Sequence, residues 1–475
     1  VTNPPSARLW DKGASLDEIV HRFTVGEDPL LDRHLVHWDC LGSAAHVLTL
    51  ARAGLLTADE CDKLLMGLAD IDRRDRAGRF HIPPELEDCH TALEACLTEH
   101  YGALGGRIHA GRSRNDQVAT ALRLFLRHHT LIWLTLLSDF AAAALERIRR
   151  DGDAPVPGYT HQQPAMPSSI GLWLHAHVEA MLEQMHAGLD LLRRLDACPL
   201  GTGAGFGVPL PLDREYTAAL LGFTRVQRSP LDVQNSRGRM EKYFTRCAAD
   251  ILAVIDKLAC DLLLFSTAEF GFFSLPQEMT TGSSLMPQKR NPDVLELLRA
   301  EAGRALARLL EVDAITGKLP SGYHRDLQLT KAPAIRAAFA TADALRVATR
   351  VLTAFEINQH RLQAAMRPEL YATHAALALV QQGTPFREAY RKVAADVAAG
   401  RFDEQRAAPW RDGAGRLMPA LLAQTEAEFA QVRQQVHTWQ TRVGAAENAL
   451  LSPSPAAEMP ADAGETRKSA TRPRC

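Results

Sequence analysis

Two loops of this chain carry residue types suited to moving a proton beside a carboxylate. The stretch Thr280-Thr281-Gly282-Ser283-Ser284-Leu285-Met286-Pro287-Gln288-Lys289-Arg290-Asn291-Pro292 holds hydroxyls and then an ammonium. Its front is rich in Gly and Ser, so its backbone is free to move. Asn291-Pro292 reads as the start of a long helix, with Asn as N-cap and Pro in the first turn. A mobile loop with a hydroxyl and a cation, hinged on a rigid helix, suits a lid over a carboxylate substrate. Composition alone also fits a polar turn between helices. In the second loop, Gly158-Tyr159-Thr160-His161-Gln162-Gln163-Pro164-Ala165-Met166-Pro167, a single histidine follows a threonine between prolines. Such a histidine serves either structure or general acid–base chemistry.

A third stretch, His109-Ala110-Gly111-Arg112-Ser113-Arg114-Asn115-Asp116-Gln117, is basic and runs into a helix predicted over about 117–150. Free N–H groups and the dipole at a helix start add to the charge of Arg112 and Arg114, which makes an anion site. A capped helix with surface arginines is the alternative. The Gly-rich run from Leu200 to Gly207 follows a helix and does not fit GxGxxG, so a dinucleotide site is rejected.

The elements that must position these loops read as helices. Apolar residues recur at three and four over 32–75, with a break at Gly54 and a restart at Thr57-Ala58-Asp59-Glu60, which has the capping-box form. Further helices are predicted over about 86–100, 168–196, 237–265 and 291–315, and again up to about 357. Several carry apolar residues over a face wider than one helix contact needs, as a bundle packed partly against other chains requires. Pro155 to Pro167 reads as loop. The expected domains are 1–110, 111–357 (the bundle with the loops) and 358–450, followed by a disordered tail over 451–475 that is rich in Pro, Ala and charge.

The chain has 475 residues with 54 basic and 56 acidic side chains, a net charge of −2 that argues against nucleic acid or membrane as main partner. No apolar run of membrane-spanning length and no signal peptide is seen, so a cytoplasmic protein is expected. The 8 cysteines form no CxxC pair and read mostly as buried thiols, and no HExxH spacing suggests a metal.

The order of residues in these stretches carries a resemblance. Gly-Ser-Ser-Leu-Met-Pro-Gln-Lys-Arg-Asn-Pro over 282–292 resembles the signature of the fumarase/aspartase/argininosuccinate lyase superfamily, and Gln288 points to the argininosuccinate lyase branch rather than to adenylosuccinate lyases. His109–Gln117 is similar to that branch's His-Thr-Gly-Arg-Ser-Arg-Asn-Asp-Gln motif, with Ala110 for Thr. Thr160-His161 resembles the superfamily's second catalytic region, and Tyr323-His324-Arg325-Asp326-Leu327-Gln328-Leu329-Thr330-Lys331 its Tyr-Asn-Arg-Asp-Leu-Gln-x-x-Lys stretch.

The resemblance spans roughly residues 30 to 445. It implies an all-α fold of three helical domains around a long central bundle, a homotetramer, and active sites each assembled from three subunits. The implied reaction is reversible β-elimination of argininosuccinate to arginine and fumarate, in arginine biosynthesis, with a small-molecule substrate and neither cofactor nor metal. Abstraction of a weakly acidic C–H leaves an aci-carboxylate that cations and N–H donors must already face. That role falls to Lys289 and Asn291, with the Arg112, Ser113 and Asn115 loop on the succinyl end. Ser283 is the candidate base, His161 the acid on the departing guanidine, and Glu296 the group that orients His161. The reverse allocation of base and acid fits the same residues. Thr160, Tyr323, Gln328 and Lys331 are expected to contact substrate.

The chain departs from the branch at Gln162, Met166, His324 and His374, in its start Leu9-Trp10-Asp11-Lys12-Gly13, and at Asp28, which stands where a substrate-binding serine is expected. An added carboxylate there would favour a cationic group or point to solvent. The alternatives are therefore a sister lyase acting on another N-succinyl compound and, from another class, a non-catalytic structural homologue.

Overall fold

The computed structural model describes residues 17–408 and 413–451. The stretch Leu9 to Gly13 and the tail from Ser452 onward lie outside the described residues. The chain is helical almost throughout. Val36–Arg52 (α1), Ala58–Arg76 (α2) and Cys89–Tyr101 (α3) lead into Arg114–Asp151 (α4), Ile170–Leu195 (α5), Arg239–Phe265 (α6), Asp293–Thr316 (α7), Lys331–Ala354 (α8) and Pro419–Leu451 (α9).

Local chemistry sets the boundaries. Thr57 Oγ1 accepts from the amide of Glu60 (3.3 Å), and the Glu60 carboxylate accepts from the amide of Thr57 (2.8 Å), the capping box expected before α2 and worth about 1 kcal/mol. Asn291 does not cap α7. The helix starts at Asp293 with Pro292 at the cap position, because the Asn291 amide turns back to the Gly282 carbonyl (3.3 Å).

The segment expected as a loop over 155–167 is a β-hairpin. Pro155–Thr160 (β1) pairs antiparallel with Gln163–Ser169 (β2). Its prolines exclude helix, and a two-stranded ribbon has only edges, where proline is tolerated. A second short pair, Phe273–Ser274 (β3) with Glu356–Ile357 (β4), ties the segment after α6 to the end of α8.

α4, α6 and α8 start at one end of the bundle, here called the lower end, and α5 and α7 start at the other. Gly171 N–H donates to the Gly152 carbonyl (3.0 Å) where α4 hands over to α5 at the upper end. At the lower end α6 begins against the finish of α7: a Cβ on Gly238 would lie 2.1 Å from Thr316 Cγ2, and its φ of +76° favours glycine in any case. Trp133 of α4 stacks on Phe244 of α6 with centroids 4.1 Å apart, and its indole N–H donates to the Ala338 carbonyl of α8 (3.0 Å). α9 runs back along α4 and α5, from Thr425 beside His175 (2.8 Å) to Glu447 beside Arg127 (3.3 Å). Helices Ala372–Gln381 and Phe386–Ala398 share a small separate core built on Ala375, Ala389 and Val393. Among the described residues no helix is long and apolar enough to cross a membrane.

Candidate active site

At the lower end, the sequence Ser113-Arg114-Asn115-Asp116 folds into an N-cap. Ser113 Oγ accepts from the Asn115 amide (3.3 Å), and Asp116 Oδ1 accepts from the Ser113 amide (3.0 Å). The other Asp116 oxygen accepts from the amides of Gly201 (3.1 Å) and Gly203 (2.8 Å). Asp116 is fully buried, and burial raises its pKa against these N–H donors and Arg112. It joins the Asn115 loop to the Gly-rich loop. Ser113-x-x-Asp116 could have signalled the cap; nothing in the sequence signalled the link to the glycines.

The two arginines of this stretch turn inward. Arg112 is buried, donates to Ser43 Oγ (2.8 Å), and has its pKa lowered by burial. Arg114 meets the Asp88 carboxylate (3.2 Å) and donates to Thr91 Oγ1 (2.6 Å). Ser113 and Asn115 are half-buried at the helix start.

Lys331 opens α8 at the same end. Its ammonium donates to Asp32 Oδ1 (2.6 Å) and Asp28 Oδ1 (2.7 Å). Burial alone would depress its pKa; the two carboxylates more than offset this and raise it. Asp32 Oδ2 accepts from the Cys89 amide (3.3 Å), which places the trio against the start of α3 and hence beside Asp88 and Arg114. Asp32, Cys89 and His90 are metal-ligand types with converging atoms, but Asp32 is already held by an ammonium and His90 Nδ1 lies 2.9 Å from Asp39. Tyr323 and Gln328 are half-buried on the turn before Lys331. That turn is braced from below: the Arg237 guanidinium donates to the Leu327 carbonyl (3.0 Å) and to Glu241 (3.1 Å), and Glu241 accepts from the Gly238 amide (2.7 Å). The Arg237–Glu241 brace is not singled out by the sequence, although the pair stands at i and i+4 in a predicted helix.

The acid–base candidates lie at the upper end. His161 and Gln162 are the two turn residues of the β1–β2 hairpin, with φ of +53° and +57°. Both positive angles mark a turn that matches strand twist but is rarely built without Gly or Asn. The strand pairing imposes these angles and holds His161 out at the tip, exposed, with Thr160 beside it.

Ser283 sits in a loop closed by a clasp. Thr281 and Asn291 exchange backbone hydrogen bonds (3.0 and 2.8 Å), and Thr281 Oγ1 bonds Asp293. Within it, Ser283 Oγ accepts from the amides of Leu285 (3.3 Å) and Met286 (3.1 Å). Two N–H donors on one hydroxyl oxygen favour its anionic form. Lys289 is exposed on the loop, and Glu296 is exposed on the first turn of α7.

The fold thus gathers Ser113, Asn115, Tyr323, Gln328 and Lys331 at one end of the bundle. His161, Ser283, Lys289, Asn291 and Glu296 stand at the other, and within the described chain no hydrogen bond or ion pair joins His161 to Ser283, Lys289 or Glu296. α4 has 38 residues and α7 and α8 have 24 each, so the two ends are set apart by helices about 36 to 57 Å long.

Comparison with known proteins gives these residues a context. A family model described as "Lyase" matches residues 16–307. Argininosuccinate lyase of Sorangium cellulosum (strain So ce56) is 44% identical over 398 residues, covering 83% of this chain and 91% of its own. That of Stenotrophomonas maltophilia (strain K279a) is 43% identical over 388 residues, covering 82% and 90%. Among solved structures, EDDS lyase in complex with formate superposes with a TM-score of 0.75 at 25% identity, covering 92% of this chain and 95% of that one. The chain belongs to the lyase family so matched, and within it to the argininosuccinate lyases.

Proposed function

We propose that the protein is an argininosuccinate lyase that splits argininosuccinate reversibly into arginine and fumarate. The observation that carries the mechanism is the pair of loop amides on Ser283 Oγ. As an alkoxide stabilised by these amides and by Lys289, Ser283 takes the proton from the carbon next to a succinyl carboxylate. The electron pair moves into that carboxylate as an aci-carboxylate, which Lys289 and Asn291 face. It then returns to form the C=C bond of fumarate, and the C–N bond breaks with its electrons going to the guanidine nitrogen. His161 protonates that nitrogen, oriented by Glu296. The reaction needs no electron donor or acceptor.

Ser113 and Asn115 bind the succinyl end together with the helix start, while Arg112 shapes the loop from within. Thr160, Tyr323 and Gln328 line the rest of the substrate, whereas Lys331, expected to touch it, is buried behind Asp28 and Asp32 and acts through them. One chain holds these groups at opposite ends of helices about 36 to 57 Å long, which supports a homotetramer whose sites each draw on three subunits. Leu306 and Leu310 on α7, 51% and 58% exposed, and Phe339 and Val347 on α8, 40% and 37% exposed, supply apolar faces for such an assembly. We place the enzyme in the cytoplasm, in arginine biosynthesis.

Fumarate release followed by ultraviolet absorbance tests the reading. Argininosuccinate should give fumarate and adenylosuccinate none. No fumarate from argininosuccinate at any enzyme concentration would remove the proposal.

A further inference from the structure

The trio of Asp28, Asp32 and Lys331 carries two carboxylates for one ammonium, so its net charge is negative. Its members differ in what they leave open. The Lys331 side chain is 2% exposed and that of Asp32 is 0% exposed, whereas the side chain of Asp28 is 11% exposed. Both Asp32 oxygens are taken, by Lys331 and by the Cys89 amide. Asp28 uses Oδ1 for Lys331, and among the described residues its Oδ2 accepts no hydrogen bond. The face that the trio presents is therefore a carboxylate oxygen, and the ammonium lies behind it.

Asp88 lies nearby, its charge balanced by Arg114 at 3.2 Å, so the trio's own excess carboxylate stays unneutralised. A ligand carboxylate approaching Lys331 would meet Asp28 first and be repelled. A ligand cation would complete the charge balance and give Oδ2 the donor it lacks.

We propose that Asp28 determines specificity in this site by accepting an ammonium at the end of the substrate remote from the succinyl unit. The inference rests on the activity proposed above and narrows it. The preferred substrates are N-succinyl guanidines that end in a primary ammonium, and the neighbouring carboxylate contributes less.

Steady-state fumarate release by the full-length enzyme tests this with three substrates: argininosuccinate, its Nα-acetyl derivative (ammonium removed, carboxylate kept) and the succinyl derivative of agmatine (ammonium kept, carboxylate removed). A buried charge-assisted hydrogen bond corresponds to about tenfold or more in affinity. The wild type should lose about that factor in kcat/KM on acetylation and less on loss of the carboxylate. Asp28→Asn should raise KM for both ammonium-bearing substrates about tenfold, leave kcat within about twofold, and no longer distinguish argininosuccinate from its acetyl derivative. If Asp28→Asn weakens all three substrates equally, or still discriminates as the wild type does, Asp28 only holds Lys331 and the proposal falls. Inhibition of the wild type by arginine and Nα-acetylarginine makes the same comparison without a substitution: arginine should be about tenfold the stronger, and equal inhibition overturns the proposal. A wild type inert toward all three substrates overturns the lyase activity itself, which separates that failure from turnover without discrimination.

Discussion

The amide of Gly203 donates to Asp116 Oδ2 at 2.8 Å, and so the first turn of α4 and the Gly-rich loop hold each other in place. Asp116→Asn keeps the shape but replaces one acceptor by an NH2 group facing N–H donors. The expected cost is about 2–3 kcal/mol for the buried donors left unsatisfied. Thermal unfolding should register it, and kcat/KM should fall with the displaced Asn115. An unchanged melting temperature would mean that the link carries no load.

At the hairpin tip, Gln162 holds a φ of +57°. A β-branched residue is strained there, so Gln162→Val should cost about 1–2 kcal/mol and lower kcat by displacing His161. Gln162→Gly should keep the turn and most of the activity. Equal activity of the two variants would show that the turn does not position His161.

Asn115 and Ser283 stand at opposite ends of one chain, so on the proposed mechanism a complete site takes them from different copies. Ser283→Ala and Asn115→Ala should each be inactive. Denatured together and refolded, they should recover about a quarter of wild-type activity through sites that receive both intact residues. No recovery despite mixed tetramers, verified by mass, would contradict the shared site.

His46 and His129 are buried and His128 is half-buried, none with an acid partner to keep it charged. Burial, aided by neighbouring positive groups, lowers the pKa of His46 to about 3, of His128 to about 4 and of His129 to about 3. Unfolded, each titrates near 6.5. The unfolded chain therefore binds more protons below that pH. Their contribution to stability is complete above about pH 6.5 and declines as pH falls toward 4 and 3, by up to about 1.4 kcal/mol per pH unit for each group. His129 packs between Phe125 (4.3 Å) and Phe339 (5.0 Å), so His129→Phe should flatten the fall in melting temperature between pH 7 and 5. The same slope in both proteins would refute this.

Much of this architecture is legible in the sequence for physical reasons. Apolar spacing at three and four marks α1, α2, α6 and α7, because a helix in a bundle must bury a stripe. The Thr57 cap is legible because its two hydrogen bonds are local. What was not legible depends on contacts far apart in the chain. Asn291 reads as a cap but spends its amide on Gly282 in a clasp. His161 and Gln162 occupy a turn type that their identities do not favour, set by the twist of the paired strands. Arg112 reads as an exposed cation, yet the fold buries it against Ser43. Asp28 reads as a departure of unknown direction, and only the fold shows Lys331 beside it.

Whether Ser283 takes the proton is decided by fumarate release from argininosuccinate by the wild type and by Ser283→Ala, with the assembly of both checked in solution. The wild type should turn over steadily, the variant at least about a thousandfold more slowly (roughly 4 kcal/mol or more of lost transition-state stabilisation), and both should form the same tetramer. Turnover by Ser283→Ala close to that of the wild type would contradict that role for Ser283.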